Sequence, residues 1–285
     1  MKSIEGRIEK IILSDDVRGI ARLVPHMPAD FCKRAADLIV GNRPRAMLVT
    51  GFYVNGAPET DGPTGAVALA DALLLMNFDV VLVTDAVSYK ALQTIAPRRA
   101  ECVEFPTRSH DESRELAAGL LETHKPSVIG YVERPGFADG DRYLNMHGVD
   151  ISRHCARTDY LLDSGIPSFA VGDGGNEAGM GKYAEELARE GIIKNPSNCA
   201  TDELVAASVS NWGAFGIVAY LSIYRGRDLL PDLEIESARV RNLVRVGAVD
   251  GFSGRNEVKV DGRSLAENLA LLGRLKDFVD DVLGP

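Results

Sequence analysis

Cysteine is scarce in this chain, and its scarcity excludes two classes of fold. Cys32, Cys102, Cys155 and Cys199 are scattered over 285 residues, with no CxxC pair. A structural zinc site needs closer ligands and a secreted disulfide scaffold is denser, so reduced thiols are expected. Basic charge is also short. The 32 Lys and Arg face 41 Asp and Glu, for a net charge of -9. Such a surface repels a phosphate backbone and no Lys/Arg run offsets it, so no nucleic-acid partner is expected. No run of eighteen apolar residues occurs, which excludes a membrane helix. The opening MKSIEGRIEKIILSDDVRG mixes charges throughout and is not a secretory signal. The expected location is therefore cytoplasmic, with no membrane partner. There is no GxSxG elbow and no Ser-His-Asp or Cys-His arrangement. No repeat, low-complexity tract or Pro/Ser-rich linker divides the chain.

What is present is an ordinary globular composition, 45% hydrophobic and 26% charged, sufficient to bury a core without staples. The first forty residues read as helix, loop, helix. From residue 45 short apolar runs alternate with helical patterns. Strands are predicted at 45–52, 79–84, 101–105, 127–132, 167–171 and 203–209. Between and after them, helices are predicted at 64–76, 87–95, 109–124, 155–163, 182–190 and 212–224. Ser109 with Glu112, and Ser264 with Glu267, have capping-box spacing. Alternating strands and helices give a parallel sheet, and continuously apolar strands mean that both faces are covered. The expectation is an α/β fold: a doubly wound, mostly parallel, Rossmann-like three-layer sandwich of about six strands with helical N- and C-terminal segments. One domain spans 1–285, divided into a helical lead-in (1–44), a βα core (45–225) and a mostly helical tail (226–285). Leu265, Leu269, Leu272, Leu275, Phe278 and Val282 form an apolar stripe. Its expected partner is the chain's own core, and a homodimer seam is the alternative.

The unusual residues follow the strands, at the edge where open parallel sheets bind ligands. After the first strand, GAPETDGPTG (56–65) combines three glycines with Glu59 and Asp61. It is neither a P-loop nor a GxGxxG fingerprint, and its acids sit where phosphate charge would lie. A plain helix start capped by Asp61 fits equally well. The second strand ends at Asp85. The fourth runs into Glu133-Arg134-Pro135-Gly136 and a long polar loop with Arg142, Asn145 and His147. The fifth ends in GDGGNEAGMG (172–181), with five glycines in ten residues around Asp173, Asn176 and Glu177. That density implies special backbone angles or close ligand contact. The last strand leads to Ser210, Asn211 and Trp212, the Trp being expected as a core anchor. GAVDGFSG (247–254) is a further Gly-rich turn, carrying Asp250 and Ser253.

Taken in order, GAPETDGPTGA, VLVTD, ERPG followed by DG and YLNMHG, GDGGNEAGMG, SNWGA and GAVDGFSG resemble the D-glutamate cyclases over roughly residues 45 to 262. The resemblance implies a hydro-lyase converting D-glutamate to 5-oxo-D-proline and water. That chemistry needs a base to deprotonate the α-ammonium and a proton donor or cation to neutralise the γ-carboxylate. On chemical grounds Asp173 and Glu177 are assigned acid/base work, or metal binding. Asn176, Gly174 and Gly175 are assigned the oxyanion, and Glu59 and Asp61 the ammonium. Asp85, Glu133, Arg134, Asn145, Ser210 and Asn211 complete the substrate-binding candidates. So many acids would repel a dicarboxylate unless some are protonated or a divalent cation sits among them. No other cofactor is implied. Two rival readings are a nucleotide- or phosphate-using enzyme, with Lys182 the nearest phosphate-binding lysine, and a non-catalytic amino-acid sensor. With Glu59 and Asp61 in the first loop, calorimetry with ATP, NAD and FMN is expected to show no micromolar complex; one such complex would overturn the reading of GAPETDGPTG.

Overall fold

The structure, a computed structural model, describes residues 6–284. Six strands form one parallel sheet: β1 (Arg45–Thr50), β2 (Asp79–Asp85), β3 (Glu101–Phe105), β4 (Val128–Val132), β5 (Ser168–Gly172) and β6 (Glu203–Ala206). Their order across the sheet is β6-β5-β4-β1-β2-β3. β1 and β4 are mostly apolar and, apart from the leading Arg45, buried along their length, as strands covered on both faces must be. The helices are α1 (Arg7–Ile12), α2 (Phe31–Gly41), α3 (Pro63–Leu75), α4 (Ala86–Gln93), α5 (His110–His124), α6 (Ala184–Arg189), α7 (Ser210–Arg225), α8 (Leu233–Arg245) and α9 (Leu265–Leu283). The arrangement is doubly wound, as expected.

α3 and α7 are buried almost all round, because each lies between the sheet and a further helical layer. They pack against one another, and α7 also packs on α1, α2 and α9. Both capping boxes form, at Ser109–Glu112 and Ser264–Glu267. Leu265, Leu272, Leu275 and Phe278 of the stripe are buried and Leu269 and Val282 are partly buried against the same core, so the stripe packs on its own molecule. Trp212 is buried and its Nε1 donates to Asn268 Oδ1 at 2.8 Å, fixing α9 to α7.

Two predicted helices differ. Residues 155–163 are not α-helical: a 3-10 turn covers Ser152–His154 and another Thr158–Ser164. The reason is competition for carbonyls. Arg134 Nη2 donates to Ala156 O at 2.6 Å and Tyr131 OH to Thr158 O at 2.7 Å, acceptors that an α-helix would use itself. The predicted helix 182–190 is a 3-10 turn, Gly181–Tyr183, followed by the short α6. The last strand stops at Ala206, where Ser208 N bonds Ile12 O and the chain turns into α7.

The chain winds outward from β1 through β2 to β3, then returns to place β4 on the other side of β1. At that reversal the loops leaving β1 and β4 diverge and open a crevice at the carboxyl edge. Arg134 braces its floor. Fully buried, it pairs with Asp85 Oδ2 at 2.5 Å and donates to Gly51 O at 2.9 Å, so it joins the ends of β1, β2 and β4. Removing one partner of a buried pair leaves an uncompensated charge, so Arg134→Met is expected to cost about 3–5 kcal/mol in urea unfolding. Parent-like stability would show that the brace is dispensable.

Candidate active site

Above this floor lies a cleft of about 620 Å³, with Glu59, Glu133, Arg18 and Asn176 among its lining residues. The loop after β1 enters it pinned by its backbone. Thr60 N bonds Val249 O at 2.9 Å and Val249 N bonds Pro58 O at 2.9 Å. This seats GAPETDGPTG beside GAVDGFSG and explains one glycine of the latter: a Cβ at Gly251 would lie 1.6 Å from Glu59 Oε1. Asp250 Oδ1 accepts from Gly262 N at 2.6 Å and Oδ2 from Ser253 N at 2.8 Å, so that acid shapes turns.

Asp61 caps a helix, but not the one that follows it. Its carboxylate accepts from Ser210 N at 2.9 Å and Asn211 N at 2.8 Å, at the start of α7. In return Asn211 Oδ1 accepts from Gly62 N at 3.0 Å and Gly65 N at 2.7 Å, capping α3. Ser210 Oγ donates to Glu133 Oε2 at 2.6 Å. Glu133 itself has a left-handed backbone, φ 44°, a costly conformation for a non-glycine residue that turns the chain abruptly out of β4.

Asp173 stands behind Glu133, buried, and neither of its oxygens accepts a hydrogen bond. Its nearest cation is Arg18, Nη1 to Oδ1 3.2 Å. Carboxylate oxygens of Asp61, Glu133 and Asp173 all lie within 4.8 Å of one another. Arg18 also pairs with Asp261. It reaches in from the loop after α1, where Asp16 Oδ1 accepts from Arg18 N at 3.1 Å and Gly19 N at 2.7 Å.

The remaining candidates are engaged elsewhere. Glu177 accepts from Gly174 N at 2.9 Å and Gly175 N at 2.7 Å, so the two amides assigned to an oxyanion are held by this carboxylate. Asn176 Nδ2 donates to Leu144 O at 3.1 Å, while its buried Oδ1 has no partner and the residue lines the cleft. Asn145 also lines the cleft, yet its Oδ1 accepts from His147 N and Val149 N, each at 3.0 Å, and closes its own loop. Asp85 and Arg134 are paired below the floor, and Asp85 Oδ1 caps α4 through Ser88 N.

Burial is the main force on the clustered acids. It pushes the Glu59, Glu133 and Asp173 carboxyls well above their ordinary range. Neighbouring acids add to the rise in each case, while Arg18 opposes it at Glu59 and Asp173. Burial and then Asp261 lift Asp61 from 3.8 to about 7 against the pull of its three backbone donors. Asp261 is raised by burial, with Arg18 resisting. Burial draws Arg18 down, but Asp173 and Asp261 more than reverse this and hold it charged. Burial and mutual repulsion therefore favour the protonated form of these carboxyls.

Sequence reasoning singled out neither Arg18 nor Asp261. Asp261-Gly262 joins the two-residue strands Lys259–Val260 and Arg263–Ser264, and an Asp-Gly dipeptide is a hairpin-turn signal. For Arg18 there was no signal beyond a turn, because its partners are distant in sequence.

Fold and site together define a doubly wound α/β protein with an acid-lined pocket at the switch point of its sheet. The chain belongs to the family described as D-glutamate cyclase-like, C-terminal, whose model matches residues 8–276, well beyond the motifs at 45–262. Among curated proteins it is similar to the human protein named "D-glutamate cyclase, mitochondrial", at 31% identity over 210 residues. The match covers 66% of this chain and 34% of that protein, so the chain spans about a third of its relative.

A carboxyl raised in the folded state binds protons that the unfolded chain has already released, so stability falls as pH rises across that interval. For Asp61 the interval runs from 3.8 to about 7. In metal-free buffer the melting temperature is expected to drop between pH 5 and pH 8, less steeply in Asp173→Asn. A parent curve that is flat or rising there would mean that the cluster is ionised without cost.

Proposed function

We propose that this protein is a lyase of the D-glutamate cyclase type, joining the α-nitrogen of D-glutamate to the carbon of its own γ-carboxylate with loss of water. The observation that carries the reading is the gathering of Glu59, Asp61, Glu133, Asp173 and Asp261 around one guanidinium at the switch point. The family and the human relative's name support it.

The reaction is balanced in protons. The ammonium carries three, the lactam nitrogen keeps one, and the two it loses leave on the γ-carboxylate oxygen as water. No proton is taken from or given to bulk solvent, so a buried relay of carboxyls suits the task. Glu59 and Glu133 face the cleft; in deprotonated form they bind the ammonium and accept its first proton. Glu133 or Asp173, protonated in its turn, delivers a proton to the departing oxygen. The substrate's carboxylates need cations, and the cleft offers Arg18 and Arg153, with His147 and His154 beside them. Holding both ends of the chain in a folded pose supplies the proximity term. Asn176 Oδ1, unpartnered, is placed to orient the amine. Glu177 acts on the geometry, by fixing the Gly174–Gly175 turn.

A phosphate-using enzyme fits less well. No lysine lines the cleft, and Lys182 bonds Asp202 O and lies 3.8 Å from Glu203. A sensor would not need a relay, and turnover separates the two. No helix among the described residues is long and apolar enough to cross a membrane; the proposed cytoplasmic location rests on four free cysteines. Incubation with each enantiomer, followed by chromatography for 5-oxoproline, is expected to show product from D-glutamate and far less from L-glutamate. Asp173→Asn should fold and lose about a hundredfold to ten-thousandfold in rate, the usual cost of a lost acid or base. Equal turnover of both enantiomers, or of neither, would refute the proposal.

A further inference from the structure

We propose that Asp61, Glu133 and Asp173 hold one hard divalent cation, of the Mg²⁺ or Mn²⁺ class, at the inner end of the cleft. Three carboxylates offer oxygens within 4.8 Å of one another, and all three residues are buried. Proximity of acids alone would not suffice. The second observation is Asp173, whose Oδ1 and Oδ2 accept no hydrogen bond although the residue is 1% exposed. Arg18 reaches Oδ1 at 3.2 Å, which leaves Oδ2 directed at no donor. A buried carboxylate without donors is costly, and a cation shared with Asp61 and Glu133 removes that cost.

The ligand type follows from the donors. All are oxygens, and no histidine or cysteine belongs to the group, which suits Mg²⁺ or Mn²⁺ and not a thiolate- or imidazole-bound metal. The ligands are held before any cation arrives. Asp61 is fixed by the amides of α7, Glu133 by its left-handed turn and the Ser210 hydroxyl, and Asp173 follows directly on β5. Arg18 takes the Asp261 side of the cluster. The site stands on this geometry. Its chemical role rests on the cyclase reading: with Glu133 and Asp173 ionised as ligands, a cation there would replace their protons in neutralising the γ-carboxylate oxygen and would make its carbon a better electrophile.

The test uses the full chain after chelator treatment, titrated with Mn²⁺ alone and followed by the spin-resonance signal of free Mn²⁺ and by calorimetry. One equivalent per chain is expected to bind, with a rise in melting temperature, and Mg²⁺ should displace it. Asp173→Asn is the first variant, because its oxygens carry no structural hydrogen bond; Glu133→Gln is the second should the first not fold. Either should weaken binding by more than the roughly tenfold to hundredfold typical of outer-shell changes. Absence of bound Mn²⁺ at millimolar concentration would overturn the proposal, as would parent-like binding by a folded variant. D-glutamate turnover is measured in parallel. Turnover by the chelated, Mn²⁺-silent protein would refute the metal and leave the cyclase; Mn²⁺ binding lost in the variants, with no turnover in the parent, would keep the metal and remove the cyclase.

Discussion

Asp61 and Asn211 exchange helix caps, and the rest of the site depends on that exchange. The loop that leads into α3 supplies a carboxylate to the first amides of α7, and the first turn of α7 supplies an amide oxygen to the first amides of α3. Helix starts leave several donors without partners, and burying them unmet is costly. Here each helix satisfies the other, which locks two nearly all-apolar helices together at the carboxyl edge. Their positive ends then converge on one point. That is where Glu133 and Asp173 arrive from β4 and β5. Acids can gather there because two helix dipoles and many amides already favour negative charge.

The fold was legible in the sequence because its strongest signals are local. Apolar runs such as VLVT and helices such as α3 need no distant information, and the six strands lie where those runs are. What failed was a competition that only tertiary structure decides. The pattern over 155–163 suits an α-helix, but Arg134 and Tyr131 claim its carbonyls from the sheet. The site was legible as a set of loops, since Gly-rich, acid-bearing turns after parallel strands can hardly lie elsewhere. It was not legible as a set of pairings. Asp61 looked like the cap of its own helix and caps another. Glu177 looked like a partner in chemistry to Asp173 and bonds its own turn.

The sequence-level excess of acids resolves into three physical situations. Glu177 and Asp250 spend their oxygens on backbone amides and so shape the turns around them. Asp85 is matched by Arg134 in a pair sealed under the sheet edge. The five acids near Arg18 are left with more negative charge than one guanidinium offsets. Such a cluster must hold protons or a cation, and strongly perturbed acids in a cleft are found most often at functional sites.

Arg18 gives the lead-in a different standing from the one its sequence suggests. Residues 1–44 read as helices preceding the βα core, yet the turn shaped by Asp16 places the guanidinium against Asp173 and Asp261. Asp261 in turn comes from the hairpin just before α9, and α1 packs on α9 beside α7. The turn after α1 and the hairpin before α9 therefore meet beside the acid cluster, where Arg18 pairs with Asp261 and reaches Asp173. Without burial the carboxyls would be hydrated and their pKa values would return toward those in water. The burial that raises those carboxyls is therefore a long-range property, because Arg18 and Asp261, which pair beside the cluster, lie 243 residues apart in sequence.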